Sequence, residues 1–307
     1  QYKPTNTGVL MLADLVKRSR PLAGNARLLI LGGGYSGSCV AQLATALGTP
    51  VLCTRRSPGA DLIFDSATAS LPDPQDLGAI THVLSTIPPD RNGDDPVLSH
   101  LLPLLSTLPL RWAGYLSTTG VYGDRQGQWV SETDAPNPGL DRSRRRLDCE
   151  QRWLDSGLPV QILRLPGIYG PGRSVLDSLR QGRARLIVKP DQVFCRIHVE
   201  DIAGAVWHLI HHAAAGRQPA LVNVVDDLPA PSAEQLRFAA TLLNSPLPKE
   251  EAFADIRDSM SPMAVSFWSE NRRVSNRRLC GELGYQLLHP DYRSGLQDCM
   301  AQDRLNP

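Results

Sequence analysis

Apolar and polar positions fall in blocks along this chain, and the blocks recur in a regular order. Leu28-Leu29-Ile30-Leu31 is an unbroken apolar run, which reads as a strand buried on both faces, as in a parallel sheet. Val40, Ala41, Leu43, Ala44 and Leu47 then follow with helical spacing. Further strands are predicted at Val51-Leu52-Cys53-Thr54, at residues 61–65, at 81–87 (stopped by Pro88-Pro89), at 112–117 and at 160–165. An apolar helix at 97–108, which Pro103 is expected to kink, and an arginine-rich helix at 142–154 lie between them. Strands alternating with helices predict an α/β fold, a doubly wound parallel sheet covered on both faces.

After the sixth strand the alternation breaks. Residues 167–172 read as a turn-rich exit, 199–212 as a helix, and Leu221-Val222-Asn223-Val224-Val225 as a late strand that returns to the sheet. The rest, from Pro229 onward, is helical and loop-rich, and residues 9–16 suit one short helix ended by Pro21 and Gly24. The predicted division is an extension at 1–25, a sheet domain at 26–166 with 196–226 returning to it, and a smaller domain from 167–195 and 227–307.

Between the first strand and its helix the glycines fall as G-x-G-x-x-G, on Gly32, Gly34 and Gly37. Strand, glycine loop and helix in this order form a dinucleotide-binding unit. Gly32 permits the tight turn, Gly34 lets a pyrophosphate approach the backbone, and Gly37 lets helix and strand pack closely. Tyr35 and Ser36 open the helix, where backbone N–H groups face the phosphates. Arg55 and Arg56 stand where the second strand ends. An acid there would hydrogen-bond the ribose hydroxyls of NAD; two guanidiniums suit the 2′-phosphate of NADP.

Composition removes several alternatives. Of 307 residues, 42% are hydrophobic and 21% charged, and the formal net charge is +1, so no field of one sign points to nucleic acid or a membrane surface. No apolar run is long enough to cross a bilayer, and a cytoplasmic location is expected. The six cysteines never fall as C-x-x-C and read as reduced thiols. His208, His211 and His212 share helical spacing, but apolar residues interleave and no metal is expected. A small-molecule substrate is the expected partner, with a homodimer left open.

Four segments occur in sequence: residues 32–37, Ser117-Thr118-Thr119-Gly120-Val121-Tyr122-Gly123, residues 163–172 around Pro166-Gly167-Ile168-Tyr169, and Arg196-Ile197-His198-Val199-Glu200-Asp201. With Arg273-Val274-Ser275-Asn276 and Leu283-Gly284-Tyr285 near the end, the chain resembles the extended short-chain dehydrogenase/reductase superfamily, in its NAD-dependent epimerase/dehydratase branch. The resemblance implies a Rossmann core with a C-terminal substrate domain. It implies that Thr118 holds a substrate oxygen, that Pro166 and Ile168 lie beside the nicotinamide, and that Ser85 and Thr86 edge the cofactor. It disfavours a flavoprotein with the same first unit.

The departures define the chemistry. The family's Tyr-x-x-x-Lys is missing, since no tyrosine falls between Tyr122 and Tyr169 and no lysine between Lys17 and Lys189. The matching helix offers Asp141-Arg142-Ser143-Arg144-Arg145-Arg146. A lysine lowers a phenol's pKa so that it serves as acid and base; an arginine supplies the charge but does not release a proton. Tyr122 is the nearest candidate phenol, with Arg145 or Arg146 in place of the lysine; Glu132, Asp124 and His198 are further candidates. The expected function is an atypical oxidoreductase or epimerase/dehydratase using NADP(H) on a small polar or sugar-derived substrate. The alternative is a non-catalytic NADP(H)-binding scaffold or redox sensor.

Overall fold

A computed structural model describes residues 12–305. The chain divides into two units, one of Gln1–Thr118, Arg144–Arg164 and Val199–Val222, the other of Thr119–Ser143, Leu165–His198 and Asn223–Pro307. The loop at 119–143 therefore groups with the second unit.

In chain order the strands are β1 (Leu28–Leu31), β2 (Val51–Arg55), β3 (Leu62–Ile63), β4 (His82–Ser85), β5 (Trp112–Thr118), β6 (Trp129–Val130), β7 (Val160–Leu165), β8 (Gly167–Tyr169), β9 (Leu186–Val188), β10 (Arg196–His198), β11 (Leu221–Asn223), β12 (Glu250–Ala252) and β13 (Arg273–Val274). The first unit is built on a seven-stranded sheet of order β11-β7-β5-β4-β1-β2-β3. Pairings β1–β2, β1–β4, β4–β5 and β2–β3 are parallel. The crossover between β3 and β4 puts the carboxyl ends of β1 and β4 side by side, where open α/β sheets bind ligands.

The sheet's strands bury because they are apolar on both faces: every residue of β1 and β4 is buried. Around them Leu29, Leu31, Val83, Ala113, Tyr115, Trp153 and Ile162 form one core, with Tyr115 and Trp153 stacked at 5.5 Å between centroids. Asp95, fully buried, accepts from the Val97 and Leu98 amides at the start of helix Pro96–Leu105 and from Trp153 Nε1 at 2.8 Å, so a cap and a core indole share one carboxylate. Pro103 lies inside that helix, which ends two residues later.

Ahead of β1, helix Ala13–Arg18 covers part of the stretch expected to be helical; residues 9–11 of that expectation lie outside the described residues. Trp207 Nε1, on helix Val199–Ala214, donates to the Arg20 carbonyl at 2.8 Å and ties this segment to the first unit.

The second unit holds three two-stranded parallel pairs, β8–β10, β9–β12 and β6–β13. Gly167–Tyr169, expected as a turn, is a strand, because pairing with Arg196–His198 outweighs the turn chemistry of its glycine. Two main apolar clusters fill this unit, one around Tyr169, Leu176, Ala239, Tyr292 and Leu296, the other around Tyr122, Val130, Val225 and Val274.

Candidate functional site

The glycine loop leaves β1 in a conformation that its sequence enforces. Gly32 has φ +101°, and a Cβ there would lie 2.3 Å from Thr86 Oγ1. Thr86 Oγ1 fills that space and donates to the Gly32 carbonyl at 2.7 Å. At Gly37 a Cβ would lie 2.2 Å from the Gly32 carbonyl oxygen and 3.0 Å from Ile30 Cγ2, so only glycine lets helix Tyr35–Ala46 sit this close to β1. A Cβ on Gly34, by contrast, would meet nothing within 4 Å, and no side chain caps the helix. Tyr35 is half-buried and Ser36 buried at this helix start.

Arg55 ends β2 and lies across this loop: its Nη2 donates to Ser38 Oγ at 3.2 Å, Ser38 Oγ donates to the Gly33 carbonyl, and a Cβ on Gly33 would meet Arg55 Nε at 3.2 Å. Arg56 is exposed beside it. The nearby acid Asp61 accepts the Cys53 amide at 2.9 Å, which commits its carboxylate to the backbone. On the other side of the loop, Ser85 ends β4 with its hydroxyl buried and without a hydrogen-bond partner. An open glycine face at a helix start, a guanidinium across it and an unsatisfied buried hydroxyl at the sheet's carboxyl edge fit a phosphate-bearing dinucleotide.

Thr118, the last residue of β5, is half-buried. Its neighbour Ser117 faces the opposite side of the strand and donates to Glu150 Oε1 at 2.5 Å. Arg164 on β7 grips the same carboxylate with two bonds, Nε to Oε1 at 3.0 Å and Nη2 to Oε2 at 2.6 Å, and both side chains are only 3% exposed. Sequence reasoning missed this network. Its signal was an arginine inside the apolar strand at 160–165, a charge that has to find a carboxylate.

Of the arginines on helix Asp141–Leu154, Arg146 is the one beside β5: its Nη1 donates to the Leu116 carbonyl at 2.7 Å and its guanidinium lies over the Tyr115 ring. Arg145 instead packs its aliphatic stem by Gly93.

The remaining expected residues belong to the second unit. Tyr122 is fully buried and its hydroxyl donates to Asn223 Oδ1 at 2.8 Å. Glu132 accepts the Asn223 amide at 2.8 Å, and burial raises its carboxyl pKa. Pro166 is half-buried at the end of β7, and Ile168 is the half-buried centre of β8. Asp124 accepts the Asn271 amide and holds a loop. His198 is fully buried at the end of β10, where burial and then His289 lower its pKa well below the usual range.

No family model matches the chain. Three curated relatives match part of it, two of them the same protein from two Escherichia coli strains. Protein YeeZ of Escherichia coli (strain K12) is 29% identical over 201 residues, 64% of this chain and 62% of its own length. The 3-diazoavenalumate denitrifying reductase of a Streptomyces species is 29% identical over 175 residues, 53% of this chain and 55% of its own. The chain thus spans less than two thirds of the curated relatives it matches, at 62% and 55%. A conserved Silicibacter pomeroyi DSS protein of unknown function superposes with a TM-score of 0.80 at 38% identity, covering 90% of this chain and 98% of that one. A Methylobacillus flagellatus structure described as an NAD-dependent epimerase/dehydratase gives 0.70 at 27% identity, covering 92% and 100%.

The chain is similar over nearly its whole length to a structure of the NAD-dependent epimerase/dehydratase family. That likeness favours an enzyme over a cofactor-binding scaffold. Among the described residues no helix is long and apolar enough to cross a membrane.

Proposed function

We propose that this chain is an NADP(H)-dependent reductase or epimerase/dehydratase acting on a small polar or sugar-derived substrate. The observation that carries the cofactor assignment is Arg55, held across the glycine loop by Ser38, with Arg56 beside it and the Asp61 carboxylate accepting a backbone amide. NADP(H), when bound, supplies or accepts a hydride. The chain's own part begins with the loop at Gly32–Gly37, which offers backbone donors to the pyrophosphate, and continues with Ser85 and Thr86, which edge the same sheet end. Thr118 orients a substrate oxygen through its hydroxyl. Arg146, fixed on the Leu116 carbonyl two residues before Thr118, contributes positive charge there without transferring a proton. Pro166 and Ile168 take the nicotinamide-side role that the family implies. The relative with a reductase activity supports the redox reading over the epimerase one.

Calorimetric titration with NADP⁺ and NAD⁺ tests the assignment. Two largely exposed charged contacts to a 2′-phosphate stabilise by about 2–3 kcal/mol, roughly thirty- to two-hundred-fold in affinity. The Arg55→Ala/Arg56→Ala variant is expected to lose that preference while keeping its NAD⁺ affinity. Equal affinities for the two cofactors in the wild type would refute the 2′-phosphate assignment.

A further inference from the structure

The second unit holds a cluster of metal-type donors that plays no part in the chemistry above. His198 comes from β10, His289 from the segment before the last helix, and Asp298 and Cys299 from helix Tyr292–Leu305. The two imidazole rings lie 4.0 Å apart between centroids, at 45°. Asp298 Oδ2 is 3.6 Å from His198 Nε2, and Cys299 Sγ is 3.9 Å from the same nitrogen. One donor atom each from His198, His289 and Asp298 lies within 4.8 Å of the other two.

Around a tetrahedral zinc ion, bond lengths of about 2.0–2.3 Å separate neighbouring donors by roughly 3.3–3.8 Å. The 3.6 Å separation lies in that range, the trio as a whole, within 4.8 Å, has to contract by up to about 1 Å, and the Cys299 sulfur, 3.9 Å from His198 Nε2 but outside the trio, has to turn towards the ion. His198 is fully buried and His289 is 8% exposed, so both rings sit where a second positive charge is costly and the neutral, metal-ligating form is favoured. Gln302 Nε2 donates to Asp298 Oδ2 at 2.7 Å, an outer contact that fixes the carboxylate, and the Tyr169 ring stands edge-on to His198 at 5.2 Å. Gly295, on the same helix, makes room for that tyrosine, since a Cβ there would lie 2.0 Å from its hydroxyl.

We propose that His198, His289 and Asp298, with the Cys299 thiol as fourth donor, form a binding site for a divalent transition ion, with zinc the metal that this nitrogen, oxygen and sulfur set suits. The site is structural: the ion links β10, the segment at 289 and helix Tyr292–Leu305 within the one unit. Binding releases the thiol proton of Cys299 to solvent and involves no redox step.

Metal-stripped protein dialysed against zinc and assayed by elemental analysis is expected to hold one ion per chain. Cobalt in place of zinc should give the visible bands of a tetrahedral ion and a near-ultraviolet thiolate band, and Cys299→Ser should lose the latter. Asp298→Asn, close in shape and only partly buried, and His289→Ala should each weaken zinc at least tenfold; circular dichroism melts check that the variants fold. Zinc should raise the wild-type melting temperature, and chelation should reverse that rise. His208 and His212 form a second ring pair at 4.3 Å on helix Val199–Ala214, so His208→Gln/His212→Gln is the control and should bind as the wild type does. No stoichiometric uptake, uptake unchanged in Asp298→Asn, or uptake lost in the His208/His212 control would overturn the proposal.

Discussion

The Glu150 carboxylate holds three elements of the first unit together, and removing its charge tests the fold where it meets the chemistry. Glu150→Gln keeps the shape of the side chain but leaves Arg164, 3% exposed, as a buried guanidinium without its counter-charge. Two charge-assisted bonds and the Ser117 contact are weakened together. Breaking a buried pair from one side costs about 3–5 kcal/mol, whereas replacing both partners by apolar groups is often near neutral. With a urea slope of about 2 kcal/mol/M, Glu150→Gln should lower the unfolding midpoint by roughly 1.5–2.5 M. Glu150→Leu/Arg164→Leu should recover most of that loss. The next residue after Ser117 is Thr118, so turnover should fall in Glu150→Gln by more than cofactor affinity does. A loss under about 1 kcal/mol in the single variant would refute the reasoning, because it would mean that the pair is screened as a surface pair is.

Gly37→Ala would place a methyl group 2.2 Å from the Gly32 carbonyl oxygen, so it should abolish measurable NADP⁺ binding by calorimetry and lower the melting temperature as well. Tyr122→Phe should cost about 1–3 kcal/mol in urea unfolding, because it strips the Asn223 side-chain carbonyl of its buried donor, while turnover stays near the wild-type value. Burial pushes Asp226 up to about 8 and His82 down to about 4, and the two act on stability with opposite signs. The folded state holds the Asp226 proton after the unfolded chain has lost it, so that stabilisation is complete at acidic pH and is lost as pH rises towards 8; the neutral His82 stabilises above pH 6.5, and that contribution is lost as pH falls towards 4. Unfolding free energy should therefore fall between pH 6.5 and 8, by up to about 1.4 kcal/mol per unit, and Asp226→Asn should flatten that limb.

The sheet was legible because its strands are apolar on both faces and its glycine loop is a local device: β1, the turn at Gly32 and the helix start are contiguous, so spacing alone specifies them. Gly167–Tyr169 was not legible, since its strand exists only by pairing with Arg196–His198, almost thirty residues on. The cluster at His198, His289 and Asp298 was hidden for the same reason: its members have no common spacing and meet only through the packing of β10 against the last helix. Tyr122 was legible only in part. The V-Y-G turn showed where the phenol stands but not that Asn223, about a hundred positions later, accepts its hydrogen bond.

Arg164 and Arg146 show how one residue type divides between structure and chemistry. Both are arginines facing the segment that ends in Thr118, but Arg164 is neutralised by Glu150 at 2.6 Å, whereas the contact that fixes Arg146 is a neutral carbonyl, that of Leu116. A neutralised guanidinium contributes little field at Thr118; one held on a carbonyl keeps its charge available to a developing oxyanion. A lysine in the place of Arg146 could both supply charge and pass a proton. The guanidinium supplies only the charge, so under the function proposed above, with the Tyr122 phenol bound to Asn223, the proton of a carbonyl reduction would pass through the Thr118 hydroxyl and solvent.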